Sequence, residues 1–222
     1  MKLKGQGDEE QLICLLHGPG GSGKSTVINM VIAYAKSYCE SIQHDFTNRT
    51  IVVTAMSGVA ATLLHGETTH MCIGMNRTIS KEDIRDFSDA RLIIIDEISF
   101  AGIPSFERIH ECLKTLMENS YLKCGGINVV FAGDYCQLEP VCQGKPVYKE
   151  SFVPEFHGTL NCFMELNGTH RFRDDPEYGE RLGRFRRGEP TRKDISVIND
   201  ACHVDVKRPP KAIQVATRLN KN

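Results

Sequence analysis

Short apolar runs alternate with longer stretches of helical period along the chain. Residues 12–16 (Leu-Ile-Cys-Leu-Leu), 51–54, 92–95 and 127–132 are brief and largely aliphatic, and three of them are rich in β-branched residues. Runs of this kind read as strands buried on both faces. Between them, Val27, Ile28, Val31, Ile32 and Ala35 fall on one helical face. Phe106, Ile109, Leu113, Leu116 and Met117 do the same within 105–118. Residues 57–64 read as a helix start, and Ser80-Lys81-Glu82-Asp83 has the serine and the later acid of a capped N-terminus. Strand and helix in alternation predict an α/β fold with a parallel sheet sandwiched by helices. Residues 143–158 hold glycine and prolines without a period and read as a linker. Beyond them, 159–166 and 212–217 read as strands and 176–187 as a helix. The expected organisation is a polar tail (1–10), a first domain (11–158) and a partial second α/β domain (159–222).

Composition narrows the class. Hydrophobic residues at 41% and charged residues at 25% suit a globular protein with a real core. A net charge of −1 excludes a global basic field, so any nucleic-acid site must be a local patch. No run approaches membrane-spanning length, and residues 1–11 lack the apolar core of a signal peptide. The nine cysteines are scattered, odd in number and free of C-x-x-C pairs, which suits reduced thiols in a soluble intracellular protein. Cys136, Cys142, His157 and Cys162 could be assembled into a zinc set, but their spacing fits no zinc pattern.

The chemistry begins at Gly18-Pro19-Gly20-Gly21-Ser22-Gly23-Lys24-Ser25-Thr26, which fills every fixed position of G-x-x-x-x-G-K-[ST]. It stands between an expected strand and an expected helix, the context such a loop needs. Glycines let the backbone approach an anion, and the N–H groups opening the helix point at phosphates. Lys24 is placed to reach the β- and γ-phosphates of ATP, and the Ser25 hydroxyl to ligate Mg²⁺. Asp96-Glu97 follows the 92–95 run directly and so falls at the same sheet edge. Asp96 can hold Mg²⁺, mostly through water, and Glu97 can deprotonate the attacking water. Gln137, after the next strand, can bond a phosphate oxygen or that water without adding charge.

Gly18–Thr26, Leu92-Ile93-Ile94-Ile95-Asp96-Glu97-Ile98-Ser99, and Gly133-Asp134-x-x-Gln137-Leu138-x-Pro140-Val141 together resemble the nucleotide motifs of the Pif-one-type, superfamily 1B DNA helicases. Thr54-Ala55-Met56-Ser57-Gly58-Val59-Ala60-Ala61, with Gly66, Thr69 and His70, is similar to that family's next motif. The resemblance covers roughly residues 11 to 220. It implies a P-loop NTPase of RecA-like fold that couples ATP hydrolysis to 5′-to-3′ movement on single-stranded DNA. It implies that Thr54, Ser57, Gly58, Thr69 and His70 line the DNA track. It implies that Arg171, in His170-Arg171-Phe172, reaches the nucleotide from the second RecA-like domain; the family's usual glutamine after that arginine is replaced here by Phe172. The family's later motifs are missing, so the sequence predicts a fragment that does not unwind duplex alone. In a eukaryote the setting would be nuclear or mitochondrial. Arg181, Arg184, Arg186, Arg187, Arg192 and Lys193 cluster after these motifs with little aromatic interleaving, and read as a salt-bridged, solvated surface.

Two other readings compete. A non-catalytic nucleotide- and DNA-binding remnant would keep Lys24 but not turnover. A P-loop phosphotransferase would need an acceptor pocket and a lid, and the sequence shows neither.

Overall fold

The computed structural model describes residues 11–137, 140, 158–168 and 170–202. Its sheet contains β1 (Ile13–His17), β2 (Ile51–Ala55), β3 (Glu67–Thr68), β4 (Leu92–Asp96), β5 (Asn128–Gly133) and β6 (Cys162–Glu165). The order across the sheet is β3-β2-β4-β5-β1-β6, and every pairing is parallel. The helices are α1 (Lys24–Ser41), α2 (Gly58–Leu63), α3 (Thr69–Cys72), α4 (Lys81–Phe87), α5 (Ile103–Leu116), α6 (Pro176–Arg186) and α7 (Arg192–Cys202).

Side-chain alternation explains why this sheet is a sandwich filling. Ile13 and Leu15 of β1 point to one face, with Ile93 and Ile95 of β4 and Val129 and Phe131 of β5. That face packs on Phe87 of α4 and on Phe106, Ile109 and Leu113 of α5. Leu16, Ile51, Leu92 and Ile94 point the other way, onto Ile28 and Ala35 of α1. A strand apolar at every position therefore serves two cores at once. The fold is the RecA-like P-loop NTPase fold.

The helix ends follow their local chemistry. Ser57 caps α2 by accepting the Ala60 N–H at 3.2 Å. Ser80 and Asp83 form the reciprocal capping box expected for α4. Asp175 caps α6, with Pro176 in its first turn.

The domain boundary expected after residue 158 is not where the compact units divide. β6 pairs with β1 in register, Cys14 opposite Cys162 and His17 opposite Glu165. One unit runs to Asp174 and the other starts at Asp175. The strand that was to open a second domain finds its hydrogen-bond partners at the edge of the first sheet. Among the described residues, the second unit is α6 and α7. Its arginines are largely neutralised: Arg184 makes two 2.7 Å hydrogen bonds to Asp194, Arg181 lies 3.0 Å from Glu177, and Arg187 lies 3.1 Å from Glu189. The salt-bridged reading holds for Arg181, Arg184 and Arg187, while Arg181, 9% exposed, is buried rather than solvated. Residues 143–157 and 212–217, with Cys142 and His157, lie outside the described residues.

The described cysteines are free thiols. Burial pushes Cys14, with Cys162 beside it, and Cys124 up to about 12. Such thiols are poor nucleophiles. Among the described residues no helix is long and apolar enough to cross a membrane.

Gly66 marks a close approach of two backbones. A Cβ there would overlap the carbonyl oxygen of Val53 on β2. Gly66→Ala is therefore expected to destabilise the first unit by about 1–3 kcal/mol, the usual cost of overpacking. Urea unfolding followed by circular dichroism measures it; an unchanged midpoint would show that the β2–β3 connection moves aside freely.

Candidate active site

The carboxyl ends of six parallel strands lie along one sheet edge, and the phosphate-binding loop leaves β1 there. The Gly18 N–H is tied to the Gly133 carbonyl at 3.2 Å, which fixes the loop against the end of β5. The Ser22 N–H closes a turn on the Pro19 carbonyl at 3.1 Å. Gly23 then takes φ 98° as the N-cap of α1, with no side chain capping the helix. A β-carbon is disfavoured at that φ, so glycine is what the turn into the helix requires. The result is a helix N-terminus aimed into the cleft, with its dipole favouring an anion.

Lys24 lies within the same turn. Its ammonium donates to the carbonyls of Gly18 at 2.7 Å and Pro19 at 3.3 Å, which holds the charge over the loop. Asp96 ends β4 at 6% exposure. Burial pushes its carboxyl above the ordinary range, against the Glu97 N–H that donates to Oδ1 at 2.9 Å and the charge of Lys24. Glu97 is also pushed up, first by burial and then by the Asp96 charge beside it, with Lys24 opposing and Asp134 adding to the rise.

Glu97 takes φ 56° and ψ 39°, the left-handed region that a non-glycine residue rarely enters. Its Oε2 is buried and has no hydrogen-bond partner among the described residues. Backbone strain and an unpaired buried oxygen both cost stability, on the order of 1–3 kcal/mol each. Outliers of this kind concentrate where a side chain is held for chemistry.

Gln137 and Arg171 reach the loop from the strands on either side of β1. A β-carbon added at Gly20 would sit 3.7 Å from the Gln137 amide nitrogen and 3.8 Å from an Arg171 guanidinium nitrogen. At Gly21, where φ is 83°, it would sit 2.5 Å from Arg171 Cβ. Lys24, Ser25, Asp96, Glu97, Gln137 and Arg171 thus line one open cleft of about 980 Å³. Sequence placed Arg171 on a second domain. In the structure it follows β6 and belongs to the same compact unit as the loop.

The residues expected along a DNA track divide in two. Thr54 and Thr69 are both fully buried. The Thr69 hydroxyl donates to Thr54 Oγ1 at 3.1 Å, and Thr54 donates to the Ile94 carbonyl at 3.0 Å. They do not line a surface; they pin α3 and β2 to β4. Ser57, Gly58 and His70 do reach the surface, with Gly58 exposed and the other two half-buried. Sequence reasoning assigned no role to His17 or Asp134; strand register sets His17 level with Gly133 and Glu165. Among the described residues no three His, Cys, Asp or Glu side chains gather as a metal cluster.

A family model described as "AAA domain" matches residues 7–207. The chain belongs to the AAA domain family. It is similar to the ATP-dependent DNA helicase Pif1 of Psychrobacter sp., 31% identical over 57% of the chain. It is also similar to the ATP-dependent DNA helicase PIF1 of Emericella nidulans, 27% identical over 82% of the chain. The chain spans 19% and 26% of those two relatives. Among solved structures it is similar to the Pif1 helicase from Bacteroides in complex with ADP-AlF3 and single-stranded DNA. That likeness has a TM-score of 0.65 at 20% identity, and covers 92% of this chain and 49% of the Bacteroides chain. At that identity it is a likeness of fold.

Proposed function

We propose that this AAA domain chain is the ATP-hydrolysing part of a Pif1-type, ATP-dependent DNA helicase that moves 5′ to 3′ on single-stranded DNA. The observation that carries the reading is the convergence of Lys24, Asp96, Glu97, Gln137 and Arg171 on one cleft beside a helix N-terminus. The loop N–H groups and Lys24 hold the triphosphate. Glu97, raised in pKa and short of a partner, accepts a proton from the attacking water. Gln137 orients that water or a γ-phosphate oxygen, and Arg171 stabilises charge on the transferring group.

The donor set fits Mg²⁺. Ser25 and Asp96 offer the hard oxygens that ion takes, and Glu97 Oε2 is a buried oxygen with no hydrogen-bond partner in the same cleft. Bound there, the ion would neutralise charge on the phosphate oxygens. Single-stranded DNA is the proposed partner, with Ser57, Gly58 and His70 contacting its backbone without reading sequence. These three follow β2 and β3 at the sheet edge that also carries the cleft.

The test is steady-state ATP hydrolysis with and without single-stranded DNA. Stimulation of about tenfold or more is expected, in line with a coupling of roughly 1.4 kcal/mol or more. Turnover indifferent to DNA would sink the coupling, and phosphoryl transfer to a small acceptor would replace the reading with that of a phosphotransferase.

A further inference from the structure

His17 is the last residue of β1 and directly precedes Gly18. In the sheet it stands level with Gly133 on β5 and Glu165 on β6. Its imidazole, 13% exposed, contacts both neighbouring segments. Nε2 lies 3.7 Å from Asp134 Oδ1, and Nδ1 lies 3.7 Å from Glu165 Oε1. The ring is also near-parallel to Tyr135, at 16°, and to Phe163, at 26°, with centroids 6.1 Å away in each case. Polar and ring contacts therefore reach the same two segments.

Those segments carry the two groups that cover the phosphate-binding loop. Asp134 shapes the turn that presents Gln137. Its Oδ1 accepts the Cys136 N–H at 3.0 Å, its Oδ2 lies 3.5 Å from the Gln137 amide nitrogen, and its carbonyl accepts the Gln137 N–H at 3.1 Å. Beyond Glu165, the Leu166 N–H donates to the His17 carbonyl at 2.8 Å, and the chain then runs to Arg171 over Gly21.

We propose that His17 is a positioning residue for ATP hydrolysis, a role that rests on the reading above. It holds the Gln137 turn and the Arg171 segment at a set distance from the phosphate-binding loop. The 3.7 Å separations are longer than direct hydrogen bonds, and suit an ion pair or a bridging water. Such contacts guide orientation more than they bind nucleotide. Misplacement of a reacting group by an ångström costs rate far more than affinity.

The test compares His17→Phe, which keeps the ring contacts and loses both nitrogens, with His17→Gln, which restores an N–H donor near Nε2. Both are assayed on the whole chain with ATP and single-stranded DNA, alongside binding of a fluorescent ADP and thermal unfolding. His17→Phe is expected to lower kcat about tenfold and to change ADP affinity less than about twofold. His17→Gln is expected to recover part of the rate. In a Gln137→Ala background, His17→Phe should cost less than it does in wild type, because one of the two groups it positions is already gone. Unchanged kcat in His17→Phe overturns the role. So do parallel losses of rate and ADP affinity that persist undiminished in the Gln137→Ala background, which mark mere packing. If His17→Phe does not fold, His17→Gln alone carries the comparison, with a threefold or greater loss of kcat at unchanged ADP affinity expected and wild-type kcat overturning the role. A wild-type chain that binds ADP yet hydrolyses no ATP overturns the hydrolysis reading and this role together. A wild-type chain that hydrolyses ATP while the variants match it overturns the role alone.

Discussion

Lys24→Ala is expected to lower ATP turnover by about 100- to 1,000-fold, the usual consequence of removing one donor from a preorganised anion site. Lys24 is a cation placed over the loop beside Arg171, and its ammonium is held by the Gly18 and Pro19 carbonyls. Its charge therefore stays available to an anion. Alanine leaves the helix N-terminus and the glycine turn unchanged, so weak nucleotide binding should survive while turnover does not. The check is ATP hydrolysis beside fluorescent ADP binding, with wild type and variant at equal concentration. Turnover within about threefold of wild type would mean that phosphate is held elsewhere, and the cleft would lose its claim to be the active site.

Glu97→Gln should separate binding from chemistry. The change keeps shape, turns one acceptor oxygen into an NH2 donor and removes a proton acceptor, which is worth roughly 100- to 10,000-fold in rate. Neutralising a buried acid beside Asp96 also relieves repulsion. Nucleotide affinity is therefore expected to hold or rise, and the thermal midpoint to stay level or increase. A variant that is slow, stable and tight-binding is the signature of a residue held for catalysis at a cost in stability. A variant that hydrolyses at wild-type rate would instead favour a purely structural reason for the left-handed backbone at Glu97.

Much of this was legible in the sequence. Residues 92–95 are apolar at every position because they feed two cores, and that pattern survives without any knowledge of partners. The phosphate-binding loop was legible because glycine, lysine and serine are each required at a fixed local spacing. What was not legible depended on distant pairing. Nothing local in residues 162–165 says that they join β1, some 150 positions earlier. Thr54 and Thr69 look like surface hydroxyls until one sees that Thr69 donates to Thr54, and Thr54 to the Ile94 carbonyl, inside the core. His17 looks like a strand end until the register puts it between two carboxylates and two rings. The roles proposed for Lys24, Asp96 and Glu97 come from residue type and order; the strain at Glu97 came only from the backbone.

The pairing of arginines with acids on α6 and α7 has an ionic-strength consequence. A guanidinium already bound to a carboxylate displaces few counterions when a polyanion arrives, and counterion release is what makes nucleic-acid binding fall steeply with salt. Arg181, Arg184 and Arg187 should therefore add little to the slope of log affinity against log salt. A hold on a phosphate backbone through those three arginines would weaken less in concentrated electrolyte than one made by unpaired cations.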